Sequence, residues 1–266
     1  MQSIKVRCPA KINLTLKVVN KREDGFHNIE SIMQTINLFD YLTISVEDNS
    51  IGNQILLSGN NTEIPYNEKN LVYKAGKLYL ENTGITNKKV TVYIDKNIPV
   101  SAGLAGGSTN AAGMLFGLNK LCQEKLSEAE LHNLCAELGS DLNFCLKGGC
   151  MMTKGRGEIL EESEYKHFEV NLIKPINLGI SAKEAYTKFA NKKSEGKTGR
   201  ENFVNDLEWA VIDDYKELQH IKNKYPKAIM TGSGSTYYSL EEKFAEEPNY
   251  WVKNNLETIN YGVQII

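Results

Sequence analysis

No stretch of the 266 residues approaches the about 18 consecutive apolar positions that a membrane-spanning helix needs, and the amino-terminal "MQSIKVRCPAKINL" lacks the apolar core of a secretion signal. A cytoplasmic protein is therefore expected. Cysteines number five, an odd count with no C-x-x-C pair, which argues against both a disulfide framework and a zinc site. Cys8, Cys122, Cys135, Cys145 and Cys150 are read as buried or half-buried free thiols. The histidines, His27, His132, His167 and His220, are not paired at ligand spacing, so a protein-built metal centre is not expected. Charge is nearly balanced at −2, which gives no general attraction for nucleic acid or an anionic membrane. Any grip on an anion has to be local.

What is present is an ordinary globular composition, 41% hydrophobic and 24% charged, long enough for one large domain or two modest ones. The first hundred residues read mainly as strands. "KINLTLKVV" alternates through Ile12, Leu14, Leu16 and Val18, and "YLTISVE" and "VTVYID" through Leu42, Ile44, Val46 and Val90, Val92, Ile94. Helical spacing of Leu71, Val72, Ala75, Leu78 and Tyr79 predicts a helix stopped by Gly84. A second helix opens within "GGSTN", and a third runs from a Ser127–Glu130 capping box to Gly139.

Beyond Gly149 the pattern predicts strands in "CMMTKGRGEIL" and "FEVNLIKP", helices in "SAKEAYTKFA" and "ENFVNDLEWAVIDDYKELQHIKNKY", and two strands about a glycine turn in "KAIMTGSGSTYYSLEE". A helix around Tyr250 to Leu256 and a last strand "NYGVQII" complete it, with a mobile surface loop at 191–203. Strands and helices segregate, so the class is α+β, divided into residues 1–155 and 156–266.

Several short stretches carry chemistry. "AGLAGGSTNAAG", residues 102–113, concentrates small residues at the mouth of a helix, where free backbone N–H groups and the helix dipole favour an anion. It matches neither the Walker nor the dinucleotide fingerprint, so phosphate binding and close helix packing both remain open. Lys96 lies where it could reach the same anion, or is a solvated turn lysine. Asp141, just past a helix end, is held by its turn or faces a cleft as a base. Lys11 and Asn13 share one side of a strand, on a solvated face or in a site. "DGFH" offers an aromatic ring and an imidazole as a platform for a planar base, or tucks under a loop.

The order of these stretches is more specific than any one of them. "PAKINL", "P-x-x-x-GLAGGSTNAA" and "TGSGS" resemble the three signature motifs of the galactokinase, homoserine kinase, mevalonate kinase and phosphomevalonate kinase (GHMP) superfamily. With "REDGFH", "NLVYKA", "LGSDLNFCL" and "NDLE", the chain is similar to the 4-diphosphocytidyl-2-C-methyl-D-erythritol kinase branch of non-mevalonate isoprenoid synthesis. The resemblance implies a two-domain GHMP kinase fold, with a ribosomal-protein-S5-like amino-terminal part and a ferredoxin-like carboxy-terminal part.

It also implies transfer of phosphate from ATP to the 2-hydroxyl of the cytidyl-linked methylerythritol. Lys11 and Asp141 match the catalytic pair, Asn13 a substrate contact, Phe26 and Tyr186 the rings that sandwich cytosine, and His27 the group that bonds its edge. Pro99, Val100, Ser101, Ala102, Gly103, Leu104, Ala105, Gly106, Gly107, Ser108 and Thr109 match the phosphate loop, with Asn70, Leu71 and Lys96 near the adenine.

Mg²⁺ is expected because phosphoryl transfer concentrates charge on oxygens that a metal neutralises, with Ser108 the candidate ligand. Partners are small molecules, without nucleic acid or membrane, for a monomer or weak homodimer. The chain departs from the family at Phe26 (usually tyrosine), Ala105 (usually glycine), Asn143 (often proline) and Ala182 (in place of threonine). Two other readings stay open: a superfamily kinase for homoserine or a mevalonate-like alcohol, which "DGFH" disfavours, and a non-catalytic binder, which retention of Lys11 and Asp141 disfavours.

Overall fold

The computed structural model describes residues 2–266. Strand β1 (Gln2–Asn13) pairs antiparallel with the 22-residue β3 (His27–Asp48), and β2 (Lys17–Lys21) forms a hairpin with the start of β3. β4 (Gln54–Gly59), helix α1 (Leu71–Thr83) and β5 (Lys88–Asp95) follow; β5 pairs with the second half of β3 and carries β4 in parallel at the sheet edge. Helices α2 (Gly106–Leu121), α3 (Glu128–Leu138) and α4 (Leu142–Lys147) come next, then the hairpin β6 (Cys150–Lys154) and β7 (Ile159–Glu162), which rejoins the first half of β3.

A second sheet is built from β8 (Glu169–Pro175), β9 (Ile229–Met230), β10 (Tyr237–Ser239) and β11 (Tyr250–Glu257) in the order β11-β8-β10-β9. Helices α5 (Ala182–Ser194), α6 (Asp206–Val211) and α7 (Lys216–Lys224) pack on it around Phe189, Trp209, Leu218, Ile221 and Tyr237. The last strand, β12 (Gln264–Ile265), returns to β1.

The helices of the first half form as their caps require. Asn70 accepts the Val72 N–H and Gly84 closes α1 in the left-handed conformation; Ser127 and Glu130 make a reciprocal capping box at α3. Helix α2 lies directly on β1 and β3 because Gly113 has no side chain, and a Cβ there would meet the Cys8 sulfur at 2.4 Å. Around it Val6, Leu42, Ile44, Leu115 and Leu118 form the first core. Pro9, which has no N–H to give, sits at a register shift of the β1–β3 ladder, and past it Ile12 turns into a second core while Lys11 and Asn13 turn the other way.

Several elements differ from the sequence reading. Residues 250–256 are a strand, because Tyr250, Trp251 and Val252 pair with the open edge of β8, and a register shift between Lys253 and Leu256 hides the alternation. "KINLTLKVV" is two strands broken after Asn13, where the Leu14 N–H turns to the Ile32 carbonyl. The break at residue 155 does not hold: β7 stays in the first sheet as far as Glu162, β12 crosses back to it, and Leu16 and Val18 pack into the second core.

Nor is 191–203 a free loop. Helix α5 runs to Ser194, Lys192 is buried with its ammonium on the Trp209 carbonyl and Asp213, and Arg200 pairs with Asp206. Asp206 is itself buried and also accepts the Val18 N–H (2.7 Å) and the Lys17 ammonium (3.3 Å), so it joins the two halves. Truncation would leave the Val18 N–H without an acceptor and both cations without a carboxylate, though Lys17 keeps the Phe203 carbonyl and Arg200 the Val18 carbonyl; since the cations are also partly solvated, Asp206→Ala should cost roughly 3 kcal/mol, the lower end for breaking a buried pair. A urea melt measures it directly.

The small-residue run is divided between two uses. Gly103 (φ +74°) packs against the turn between β9 and β10, where a Cβ would lie 2.1 Å from the Thr231 carbonyl oxygen, so only glycine fits. Ala105, where the family usually has glycine, is left-handed as well (φ 59°, ψ 26°). Holding alanine there costs about 1–2 kcal/mol, while its partly buried methyl returns under about 0.8 kcal/mol. Ala105→Gly should therefore raise stability by about 0.5–1 kcal/mol, seen as a higher denaturation midpoint with an unchanged slope.

Candidate active site

A cleft of about 1090 Å³ lies where the end of β1, the loop before α2, the start of α4, the β6–β7 turn, the start of α5 and the β9–β10 turn converge. At its floor, Lys11 donates to Asn13 Oδ1 at 2.6 Å and stands 3.7 Å from Asp141 Oδ2. The Lys11 side chain is nearly sealed at 4% exposure, whereas the Asp141 side chain is 28% exposed. Lys11 and Asn13 therefore lie inside the site and not on a solvated face.

Asn13 is fixed from every side. Its amide donates to Ser31 Oγ at 2.8 Å, its backbone N–H to Thr231 Oγ1 at 3.0 Å, and its carbonyl accepts from the Tyr238 hydroxyl at 3.1 Å. That leaves Asn13 Oδ1 to hold Lys11. Asp141 precedes α4 and caps nothing with its side chain; only its carbonyl is used, by the Cys145 N–H. Its carboxylate takes no hydrogen bond from the turn and borders the cleft, 3.7 Å from the Lys11 ammonium.

Above this group, α2 starts with Gly106, Gly107 and Ser108, whose N–H groups precede the first helical bond, from Thr109 to the Ala105 carbonyl. These three residues border the cleft together with Pro99, Val100, Ser101, Ala102, Gly103 and Ala105. Three free donors at the positive end of a 16-residue helix make an anion cradle. Leu104 and Thr109 are buried behind this surface and do not line it.

Lys96 borders the cleft but is not a free cation. Its ammonium bonds Asp40 Oδ2 at 2.6 Å and the Ile98 carbonyl, while Asp40 Oδ1 accepts the Asn97 and Ile98 N–H groups. The pair holds the loop in shape, and the ammonium sits 2.7 Å from where a Gly106 Cβ would be. Asn70 is also committed, through its cap at Val72 and a bond to the Pro65 carbonyl, and lies outside the cleft wall. Leu71 does line it.

At the other end stand Phe26, His27 and Tyr186. His27 stacks on Tyr186 with centroids 5.0 Å apart and planes 12° from parallel, a direct stack with no space for a third ring. Phe26, half exposed, has the Arg156 guanidinium over its ring at 5.0 Å. Burial, with the nearby charges of Lys21 and Lys193, holds the His27 imidazole below its ordinary range, so it is neutral at pH 7. Burial likewise pushes the Tyr186 phenol up, keeping it protonated.

Sequence reasoning missed Arg156, Ser140, Ser31 and Thr231. Arg156 and Thr231 sat in quoted glycine turns, but their direction depends on pairings remote in the chain. Asn143 replaces the frequent proline with two bonds, from its amide to the Glu158 carbonyl (3.1 Å) and between Oδ1 and His132 Nδ1 (3.0 Å), which tie α3, α4 and the β6–β7 turn together. Ala182 opens α5 after the Ser181 cap and lines the cleft. All five cysteines are free; Cys122 is half-buried and the others are buried, as expected. Among the described residues no helix is long and apolar enough to cross a membrane.

Comparison with known proteins places this geometry. Residues 70–151 match the GHMP kinases N terminal domain. The chain is 38% identical to the 4-diphosphocytidyl-2-C-methyl-D-erythritol kinase of Clostridioides difficile (strain 630), covering 90% of this chain and 87% of that one. It is 34% identical to the enzyme of the same name from Clostridium acetobutylicum, covering 95% and 96%. A crystal structure of 4-(cytidine 5'-diphospho)-2C-methyl-D-erythritol kinase superposes with a TM-score of 0.72 at 25% identity, over 97% of this chain and 100% of that one. A homoserine kinase from Cytophaga hutchinsonii, at 17% identity and TM-score 0.71, shares the fold. With relatives at this identity spanning nearly its whole length, and with their α+β fold, the chain belongs to the 4-diphosphocytidyl-2-C-methyl-D-erythritol kinase family of the GHMP kinases.

Proposed function

We propose that this enzyme transfers the γ-phosphoryl group of ATP to the 2-hydroxyl of 4-diphosphocytidyl-2-C-methyl-D-erythritol. The observation that carries the reading is one cleft holding the Lys11–Asn13–Asp141 group, the amide cradle of Gly106, Gly107 and Ser108, and an aromatic end formed by Phe26, His27 and Tyr186. The cradle receives the ATP phosphates and the aromatic end receives cytosine, so the acceptor hydroxyl comes to Asp141. Asp141 orients that hydroxyl and takes its proton as the oxygen attacks the γ-phosphorus and the bond to ADP breaks. Lys11, held by Asn13, stabilises the charge that develops on the transferred group.

Mg²⁺ suits the donors present. The cleft offers hard oxygens, Ser108 hydroxyl and Asp141 carboxylate, and among the described residues no cluster of three or more His, Cys, Asp or Glu exists. That is the donor set of a cation held largely by water and substrate phosphates. Ser108 would hold it, and its chemistry would be to neutralise charge on the phosphate oxygens.

Neutral His27 has one ring nitrogen to accept and one to donate, as an edge contact to cytosine requires. The aromatic end has no use in a homoserine or mevalonate kinase. Offered the cytidyl substrate, free methylerythritol, homoserine and mevalonate, the enzyme should phosphorylate only the first; turnover of an acceptor without cytidine in its place would overturn the reading. Asp141→Asn should lower kcat by about 10²–10⁴-fold with little change in ATP affinity, measured in single-turnover assays.

A further inference from the structure

The β6–β7 turn, "KGRGE", reaches into the cleft through a single side chain, Arg156. Its guanidinium is placed by three neighbours: Nη2 donates to the Ala136 carbonyl at 3.1 Å, Nε stands 3.9 Å from Glu158 Oε1, and the group lies 5.0 Å over the Phe26 ring. Glu158 is pinned in turn, because its Oε2 accepts the Arg156 backbone N–H at 2.6 Å. The turn is seated against the residue before Asp141: a Cβ on Gly157 would meet the Ser140 carbonyl oxygen at 3.3 Å. Arg156 therefore stands at the aromatic end of the cleft, tied to α3 through the Ala136 carbonyl, while its neighbour Gly157 rests on the turn that carries Asp141. Among the described residues its Nη1 has no protein partner, and the side chain is one-quarter exposed.

The other buried cations of the cleft are already used. Lys11 holds Asn13 and faces Asp141, and Lys96 holds Asp40. Lys21 and Lys183 line the wall as flexible point charges, whereas a guanidinium is a planar, weakly hydrated fork, and this one is clamped with an edge to spare. Glu158 at 3.9 Å neutralises it only in part. On the functional reading above, a substrate with its base at Phe26 and its reacting hydroxyl at Asp141 carries its diphosphate between them.

We propose that Arg156 is a specificity-determining residue of this enzyme, its free guanidinium edge binding the diphosphate that links cytidine to the acceptor while its face holds Phe26 in place. Two groups bind at one point, so the site measures the distance from base to phosphate and favours a nucleoside diphosphate over a nucleoside.

Calorimetric titration of the full-length protein with CDP and with cytidine tests this. Arg156→Gln, which keeps shape and removes charge, should weaken CDP by about 10- to 100-fold, the loss of a charge-assisted hydrogen bond, and cytidine by less than about twofold. Phe26→Ala should weaken both probes, CDP at least as much as cytidine, because the ring also helps to place Arg156. If Arg156→Gln weakened both equally, Arg156 would only support the ring; if it weakened neither, it would not touch the phosphates; either result overturns the proposal. Should that variant not fold, Arg156→Lys replaces it, with a severalfold loss for CDP alone expected and an equal or absent loss again overturning the proposal. A wild-type protein that bound neither probe would overturn the functional reading itself, so the two failures are distinguishable.

Discussion

The cleft depends on one contact, the packing of the loop before α2 onto the turn between β9 and β10. Gly103 meets the Thr231 carbonyl with no room for a side chain, the Thr236 N–H reaches the Ala102 carbonyl, and the Lys11 N–H reaches the Leu104 carbonyl. The loop before α2 is thereby held between β1 of the first sheet and a turn of the second. Nothing in this contact is strong, since each backbone bond contributes about 1 kcal/mol. Its force is geometric: three segments, the outer two of them 218 residues apart at Asn13 and Thr231, are brought to one point, and Thr231 Oγ1 carries the alignment on to Asn13.

From that contact the polar groups fall into order by burial. Ser31 and Thr231 leave Asn13 one orientation, and Asn13 in turn leaves Lys11 one. A buried ammonium costs several kcal/mol unless it is paired, so Lys11 needs both Asn13 and Asp141. Asp141 keeps its exposure and its freedom. Lys96 follows the same rule toward Asp40 and ends as a brace beneath the loop. The two lysines therefore differ in role because their carboxylate partners differ in what else they hold: Asp40 is taken by two backbone N–H groups, and Asp141 by none.

The departures from the family pattern also become physical. Ala105 keeps a left-handed backbone that glycine would occupy more cheaply, so the loop's shape outweighs local preference. Asn143 replaces the rigidity of a proline by hydrogen bonds to Glu158 and His132, which steady the turn carrying Arg156. Phe26 lacks the usual phenol hydroxyl and shares its ring with a guanidinium.

By itself the sequence determined whatever depends on neighbours within a few residues. Helices α1 and α3 begin at the side-chain caps of Asn70 and Ser127 and stop at Gly84 and Gly139, and Asp141 and the small-residue run stand out because their local settings are unusual. Tertiary structure decided the rest. Strand β11 resembles a helix in sequence because its partner β8 lies some 80 residues away, and the register shift removes the period-two signal. Residues 191–203 have the composition of a mobile loop because the partners of Lys192 and Arg200, on α6 and just beyond it, are invisible to composition. Nothing in the sequence shows that Asp40 claims Lys96, and no spacing rule places Arg156 over Phe26. Short-range hydrogen bonds can be read along the chain; a side chain's direction and its partner's prior commitments exist only once distant segments have packed.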